Sequence, residues 1–288
     1  MSDVVVALSL DEALGALSDY PDATVLAGGT DLMVEVNRGL RRLSHVVGVS
    51  KVPELREWSI ADDRVVVGGG VTYTEMMATP LADAAPALAQ AARTVGSPPI
   101  RNAGTLGGNL GTASPAGDTL PVLAALNAEI VVVGPDGERR MGLDDFMVGV
   151  KRTSLRPGEL IVRAEMDRPQ GRQEFLKIGP RNAMVISMAG LALVADHDAR
   201  AVRCALGAVA AGIPRAREAE AWVAERIDWD NDAGVDHAVA AEFGQQVAAA
   251  SAPIDDHRSS AAYRRHAVGV LATRALKRAF AQGGSSDA

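Results

Sequence analysis

The stretch RNAGTLGGNLGTASPAGDTLPVL, residues 101–123, decides how this chain folds and where its site lies. Its segment 104–117 holds five glycines among threonine, serine and asparagine residues. Apolar periodicity is lost between residues 96 and 117, which predicts a long loop. A loop of this kind buries little apolar surface, so its backbone N–H and C=O groups need partners. A bound ligand satisfies them most simply, and we therefore predict a ligand site here.

The order of the glycines differs from two common nucleotide motifs. The stretch contains neither the GxGxxG order of dinucleotide-binding loops nor the GxxxxGK[ST] order of P-loops. A second glycine pair, Gly28 and Gly29, follows a predicted strand at 24–27 and precedes a predicted helix at 31–36, with Thr30 as its N-cap. Missing side chains there let an anion approach backbone amides at the positive end of a helix. Taken alone, an ordinary strand-to-helix turn explains this pair better.

Apolar patterns along the rest of the chain predict a mixed α+β protein. Ser9 and Glu12 have the spacing of a capping box, which predicts a helix that ends before Pro21. The pattern changes near residues 168–171, where we place a domain boundary. The predicted domains are residues 1–54, 55–170 and 171–282, followed by a disordered tail at 283–288. Strands are predicted at 45–49, 64–67, 129–133, 161–166, 174–178, 188–195 and 201–209, and helices at 82–95, 120–126, 215–226, 238–250 and 260–281.

Composition limits the partners of the chain. The formal net charge is -7 and only 3% of the 288 residues are aromatic, which argues against a nucleic-acid partner. The acidic N-terminus and the lack of an apolar run near 18 residues predict a soluble, cytoplasmic protein with no membrane span. The single cysteine, Cys204, is expected to be buried, and it cannot hold an iron–sulfur cluster, which takes about four thiolates. The histidines lack metal-ligand spacing, so we assign no metal.

Five motifs together carry a specific resemblance. They are AGGTDL at 27–32, the stretch at 101–123, GELI at 158–161, LKIGPR at 176–181 and DDHRSSAAYRR at 255–265. In this order and spacing they resemble the FAD-binding medium subunit of the xanthine dehydrogenase and carbon monoxide dehydrogenase family of molybdenum hydroxylases. The resemblance runs over nearly the whole chain.

The resemblance implies a fold, a cofactor and partners. The fold would be similar to the vanillyl-alcohol oxidase type, with two α+β subdomains around FAD and a C-terminal α+β domain of antiparallel sheet and helices. FAD would be non-covalent, because Thr30 stands where some flavoproteins have an attachment histidine. A small subunit would carry [2Fe-2S] clusters and a large subunit the molybdopterin cofactor, as a dimer of heterotrimers. The chain would pass their electrons to an external acceptor.

The resemblance also implies the residues that hold FAD, and it implies no catalytic residue. We call residues 27–31 the first loop and residues 104–117 the second loop. The diphosphate would lie against both loops, while Asp118 would accept a hydrogen bond from a sugar hydroxyl. Ile161 would pack on the flavin, and Lys177 would stabilise negative charge on the reduced flavin. From the residues alone, Asp118 is also explained as a surface helix cap and Ile161 as a core residue. The full implied set is Leu26, Ala27, Gly28, Gly29, Thr30, Asp31, Leu32, Thr105, Gly108, Asn109, Thr112, Asp118, Ile161 and Lys177.

Two other functions compete with electron transfer within a larger enzyme. A self-contained FAD-dependent oxidase would need a general base beside its substrate, and neither glycine loop contains a histidine or paired carboxylates. An assembly subunit that has lost FAD would have no reason to keep glycines at 28, 29, 107 and 108. Electron transfer within a larger enzyme therefore remains the favoured function.

Overall fold

The computed structural model describes residues 3–230 and 234–281. It confirms the predicted α+β class, because helices pack on three principal sheets. The tail predicted to be disordered, residues 283–288, lies outside the described residues. Within the described ranges, no helix is both long and apolar enough to cross a bilayer.

The N-terminal part is a three-stranded parallel sheet of order β1-β3-β2 with two helices. The Ser9 hydroxyl accepts the Glu12 N–H at 3.2 Å, which confirms the predicted cap of the first helix. The Glu12 carboxylate accepts the N–H of Leu8 at 2.8 Å, one residue earlier than in a capping box. The elements are β1 (Asp3–Val6), α1 (Leu10–Asp19), β2 (Thr24–Leu26), α2 (Leu32–Asn37) and β3 (His45–Gly48).

The middle part is a five-stranded antiparallel sheet with its own helices on one face, while Leu160 and Val162 on the other face pack near α1. Its strand order is β4-β5-β10-β6-β7. Alternate strand residues such as Val67, Ile130 and Ala164 point into a core shared with helix residues such as Leu88 and Leu123. The elements are β4 (Trp58–Ile60), β5 (Arg64–Gly68), α3 (Tyr73–Met76), α4 (Leu81–Ala84), α5 (Pro86–Thr94), α6 (Pro98–Ala103), α7 (Leu106–Thr112), α8 (Thr119–Ala125), β6 (Glu129–Gly134), β7 (Gly137–Gly142), α9 (Leu143–Phe146), β8 (Met147–Gly149), β9 (Arg152–Thr153) and β10 (Leu160–Asp167).

The C-terminal part is a three-stranded antiparallel sheet whose middle strand is buried on both faces. Ala192 and Val194 face the core of the middle part, while Leu191 and Leu193 face the C-terminal helices. Cys204 is buried, as predicted, and burial raises the pKa of its thiol. The elements are β11 (Gln173–Ile178), β12 (Ala189–Asp196), β13 (Ala201–Gly207), α10 (Arg217–Ala224), α11 (His237–Ala249) and α12 (Ala261–Ala279).

Three local predictions were wrong. The predicted loop at 96–117 contains α6 and α7, because Leu106 and Leu110 are spaced by one turn and both are buried in the core. The predicted helix at 82–95 is two helices, since the ring of Pro86 disfavours a helical conformation at Ala85. Thr30 is not an N-cap: Asp31 holds that position in α2, without a side-chain cap bond.

Helices α11 and α12 cross closely at two glycines, which yields a test of the fold. A methyl group at Gly244 would lie 2.6 Å from the carbonyl oxygen of Gly269. Gly244→Ala should therefore lower the free energy of unfolding by about 1–3 kcal/mol, measured by urea unfolding. On the exposed face of α1, Gly15 has no atom within 4 Å of its methyl position, so Gly15→Ala should raise the free energy of unfolding by about 0.5–1 kcal/mol. Equal gains from both substitutions would contradict the close crossing.

Candidate functional site

The structure brings the two glycine loops together through their backbones. A methyl group at Gly28 would overlap the carbonyl oxygen of Ala103, which immediately precedes the second loop. Gly29 has a φ of 70°, in the left-handed region that favours glycine. The turn after β2 therefore needs glycine both for close approach and for its backbone conformation.

The first loop presents free backbone donors. Within residues 3–230 and 234–281, no acceptor meets the N–H groups of Gly28, Gly29, Thr30 and Asp31. The loop is partly or fully exposed at these positions, and the following α2 has no buried residue. Consecutive free amides of this kind form a concave surface that binds anions such as phosphate.

Half of the second loop is helix α7, and one side of this helix is fixed to the turn at residues 69–71. The Leu106 N–H donates to the Val71 carbonyl at 3.0 Å, and the Gly107 N–H donates to the Gly69 carbonyl at 2.7 Å. A methyl group at Gly107 would lie only 2.8 Å from that Gly69 oxygen. Glycine is thus required here for contact between two backbones, whether or not a ligand is bound.

The opposite side of α7 is flat. Gly108, Gly111 and Thr112 share this side, because residues three and four apart lie on one helix face. A methyl group at Gly111 would have a single neighbour within 4 Å, the Cδ1 atom of Ile161 at 3.7 Å. The face offers no large side chain, so a planar group can lie against it beside Ile161.

Two implied site residues form a buried ion pair. Lys177 Nζ lies 2.6 Å from Asp118 Oδ2, and their side chains are 9% and 8% exposed. The other ammonium hydrogens reach the carbonyl oxygens of Thr94 and Val185, both at 3.1 Å. The cluster therefore joins α5, the start of α8 and the segment before β12.

Hydroxyl groups complete the surroundings of Asp118. Ser187 donates to Asp118 Oδ1 at 2.6 Å, and the Thr94 hydroxyl donates to Oδ2 at 3.1 Å. Among the residues that the structure describes, one donor reaches Oδ1, whereas a carboxylate has about four acceptor positions on its two oxygens. One position on Oδ1 is thus free for a further donor.

The side chains of Asn109 and Tyr73 hold the second loop in place. The Asn109 side-chain oxygen accepts the Thr119 hydroxyl at 2.5 Å, which fixes α7 to α8. The buried ring of Tyr73 packs against Gly104, where a methyl group would lie 2.7 Å from the ring. Burial, followed by the charges of Asp118 and Asp31, raises the pKa of the Tyr73 phenol, so the group stays neutral near pH 7.

Sequence reasoning missed several of these groups. Gly111 lay within the glycine-rich stretch and could have been chosen from the spacing of an outward helix face. Tyr73, Thr94 and Ser187 carried no local signal, because their partners lie far away in the chain. Thr30, Asp31 and Gly111 are exposed, so the space between the two loops is an open groove. Two surface clefts, of about 230 and 300 Å³, are lined by neither glycine loop.

Comparison with known proteins gives consistent matches along the chain. Residues 1–166 match the FAD binding domain in molybdopterin dehydrogenase, and residues 174–279 match the CO dehydrogenase flavoprotein C-terminal domain. The nicotinate dehydrogenase FAD-subunit of Eubacterium barkeri is 34% identical over 198 residues, 66% of this chain and 67% of that protein. The nicotine 6-hydroxylase medium subunit of Paenarthrobacter nicotinovorans is 32% identical over 281 residues, 95% of each chain. The fold is similar to a chain of quinoline 2-oxidoreductase from Pseudomonas putida 86, with a TM-score of 0.87, 27% identity and 97% of each chain covered.

The buried ion pair makes a stability prediction. Lys177→Met leaves Asp118 as an unpaired buried charge and should lower the free energy of unfolding by about 3–5 kcal/mol, measured by urea unfolding. Adding Asp118→Asn to that variant should restore much of the loss. Lys151 is a matched control, because it pairs with Glu35 at 2.9 Å while its side chain is 50% exposed. Lys151→Met should cost no more than about 1 kcal/mol, and an equal cost at both lysines would contradict the burial argument.

Proposed function

Because the chain belongs to the family of FAD-binding subunits of molybdopterin dehydrogenases, we propose that its two glycine loops hold one non-covalent FAD. The protein is an oxidoreductase, the electron-transfer subunit of a heteromeric molybdenum hydroxylase. It takes electrons from iron–sulfur clusters on a partner subunit and passes them to an external acceptor. Bound FAD supplies the redox chemistry, since a flavin exchanges electrons singly or in pairs.

The free amides of the first loop are the observation that carries the proposed site. The N–H groups of residues 28–31 have no acceptor among the described residues, and the diphosphate of FAD is a doubly charged acceptor of matching chemistry. Residues 28–31 would form one wall of the FAD site, and the adjacent residues Leu26, Ala27 and Leu32 would complete it. The second wall would be the start of α7, where Thr105 offers a hydroxyl and the backbone of Gly108 and Asn109 lies against the diphosphate. The N–H groups of Gly108 and Asn109 already donate to the hydroxyl and the carbonyl oxygen of Thr105.

The flat side of α7 fits a ring system. Gly108 and Gly111 leave room for a planar group, and Ile161 provides an apolar contact beside it. Thr112 lies on the same side, and its hydroxyl has no protein partner within the described ranges. We assign this side of α7 to the body of the cofactor, including Gly111, which the sequence motifs had not singled out.

Asp118 and Lys177 would act on the cofactor in different ways. The free acceptor position on Asp118 Oδ1 suits a sugar hydroxyl, which donates one hydrogen bond. Lys177 already has three acceptors for its three ammonium hydrogens. Its proposed influence on reduced flavin is therefore through its charge, and the adjacent Asp118 carboxylate offsets part of that charge.

The partners and the organisation of the chain follow from the same proposal. A small iron–sulfur subunit and a large molybdopterin subunit complete the enzyme, because the single buried cysteine of this chain cannot ligate a cluster. We propose a dimer of heterotrimers, a heterohexamer with the two-fold symmetry that is commonest in oligomers. We also propose domains at 1–54, 55–170 and 171–282, and a cytoplasmic location, where the free thiol of Cys204 would stay reduced.

Gly111→Leu tests the proposed cofactor face. Leucine is a good helix former and points into open space, so the unfolding midpoint of the flavin-free chain should change little. The side chain would occupy the position assigned to FAD and should raise the dissociation constant at least about tenfold, as overpacking costs 1–3 kcal/mol. The constant is measured by flavin fluorescence on the isolated chain.

Gly15→Leu serves as the control, because Gly15 is also helical and exposed and no residue of either glycine loop lies within 4 Å of its methyl position. It should leave FAD affinity unchanged. Native affinity in Gly111→Leu would remove this side of α7 from the site.

Separate expression of the chain tests electron transfer. The isolated chain should bind FAD and be reduced by dithionite. It should show no flavin reduction when mixed anaerobically with a substrate that the co-purified three-subunit complex oxidises. Stopped-flow absorbance of the flavin reports both reactions, and the complex is the positive control. Rapid reduction of the isolated chain by substrate would favour a self-contained oxidase.

A further inference from the structure

A buried arginine on the first turn of α12 lies inside the motif at 255–265, to which no role has been assigned. Arg264 is 4% exposed. Its guanidinium donates to Asp256 Oδ1 at 2.7 Å, and Asp256 stays ionised. Partial burial opposes ionisation of that carboxyl, but the N–H groups of Arg258 and Ser259 and the charge of Arg264 lower its pKa to about 2.

The same guanidinium fixes the ends of two strands. Arg264 Nη1 donates to the carbonyl oxygen of Met188 at 3.0 Å, just before β12. It also donates to the carbonyl oxygen of Ala208 at 2.6 Å, just after β13. Ala208 has a φ of 62°, a conformation that is uncommon for alanine and needs support from its surroundings.

Each of these two strand ends also contacts the segment that carries Asp118. Ser187, next to Met188, donates its hydroxyl to Asp118 Oδ1 at 2.6 Å. The N–H of Ala208 donates to the Pro115 carbonyl at 2.7 Å. On one path, two hydrogen bonds and the adjacent residues Met188 and Ser187 link Arg264 to the Asp118 carboxylate. On the other path, Arg264 supports the loop before Asp118 through Ala208.

We propose that Arg264 is a positioning residue that sets the place of Asp118 in the cofactor site, acting through Ser187 and the backbone of Met188 and Ala208. The inference rests on the proposed function, since it takes Asp118 as a group that contacts FAD. A planar guanidinium can bond several acceptors in fixed directions, which a lysine ammonium on a flexible stem cannot do.

Net stability alone does not account for this arginine. A buried ion pair contributes little compared with apolar residues of the same volume, because removing both charges from water is costly. The Nε atom of Arg264 has no hydrogen-bond partner within the described residues, which adds to that cost. The gain from the arrangement lies in the fixed positions of the two strand ends.

The test is a double-mutant cycle on FAD affinity, with flavin fluorescence of the isolated full-length chain as the readout. Arg264→Lys should raise the FAD dissociation constant about tenfold in the native background. In the Asp118→Asn background the same substitution should change it less than about twofold, because the group that it positions is no longer a carboxylate. Arg274→Lys, at an exposed arginine of the same helix, is the control and should have no effect in either background.

Circular dichroism and thermal unfolding accompany each variant. If Arg264→Lys does not fold, Ser187→Ala tests the same path, because it removes the hydroxyl that donates to Asp118. Ser187→Ala must then raise the FAD dissociation constant in the native background and change it less than about twofold in the Asp118→Asn background. Equal effects in both backgrounds would overturn the positioning role. If Asp118→Asn alone leaves FAD affinity unchanged, the assignment of Asp118 under the proposed function falls instead.

Discussion

Close approach between backbones is the constraint on which the site depends. Gly28 lies against Ala103, and Gly107 lies against Gly69, at distances that leave no room for a Cβ atom. A side chain at Gly28 would move the first loop away from the end of α6, and a side chain at Gly107 would move α7 away from the turn at residues 69–71. Either change would alter the distance between the free amides of the first loop and the flat side of α7. The glycines of the site therefore have two different structural roles. Some hold the two walls together, and others, such as Gly111, keep the space between the walls open.

A second level of organisation comes from charges that are buried away from the glycines. Asp118 receives hydrogen bonds from Thr94, Lys177 and Ser187, which belong to α5, β11 and the segment before β12. The C-terminal sheet thereby contributes to a site whose glycine loops come from the two other sheets. Arg264 extends the same arrangement to α12. Through these bonds, residues of the motifs at 176–181 and 255–265 are connected to the site.

The sequence allowed the family, the cofactor and most strands to be predicted, because five motifs and their spacing are specific. It misassigned residues 96–117, since glycine disfavours helix and the burial of Leu106 and Leu110 overrides that preference only in the folded chain. It named Asp118 and Lys177 separately but did not indicate that they form an ion pair, 59 residues apart. Ser187 is 69 residues from Asp118 and has no motif of its own. Contacts of this kind depend on the packing of the sheets, which local patterns do not encode.

The two walls of the groove differ in how firmly they are held. The buried side chains of Leu106 and Leu110 anchor helix α7 in the core. Helix α2 has no buried residue, and the partly exposed Glu35–Lys151 ion pair connects it to the β8–β9 hairpin. Residues 28–37 therefore form a unit of low local stability, whose amides exchange hydrogen with solvent sooner than those of α7. The entropic cost of ordering a ligand-bound state falls mainly on this one wall. Cofactor affinity in such a groove can change through the stiffness of the first loop, without the gain or loss of any contact.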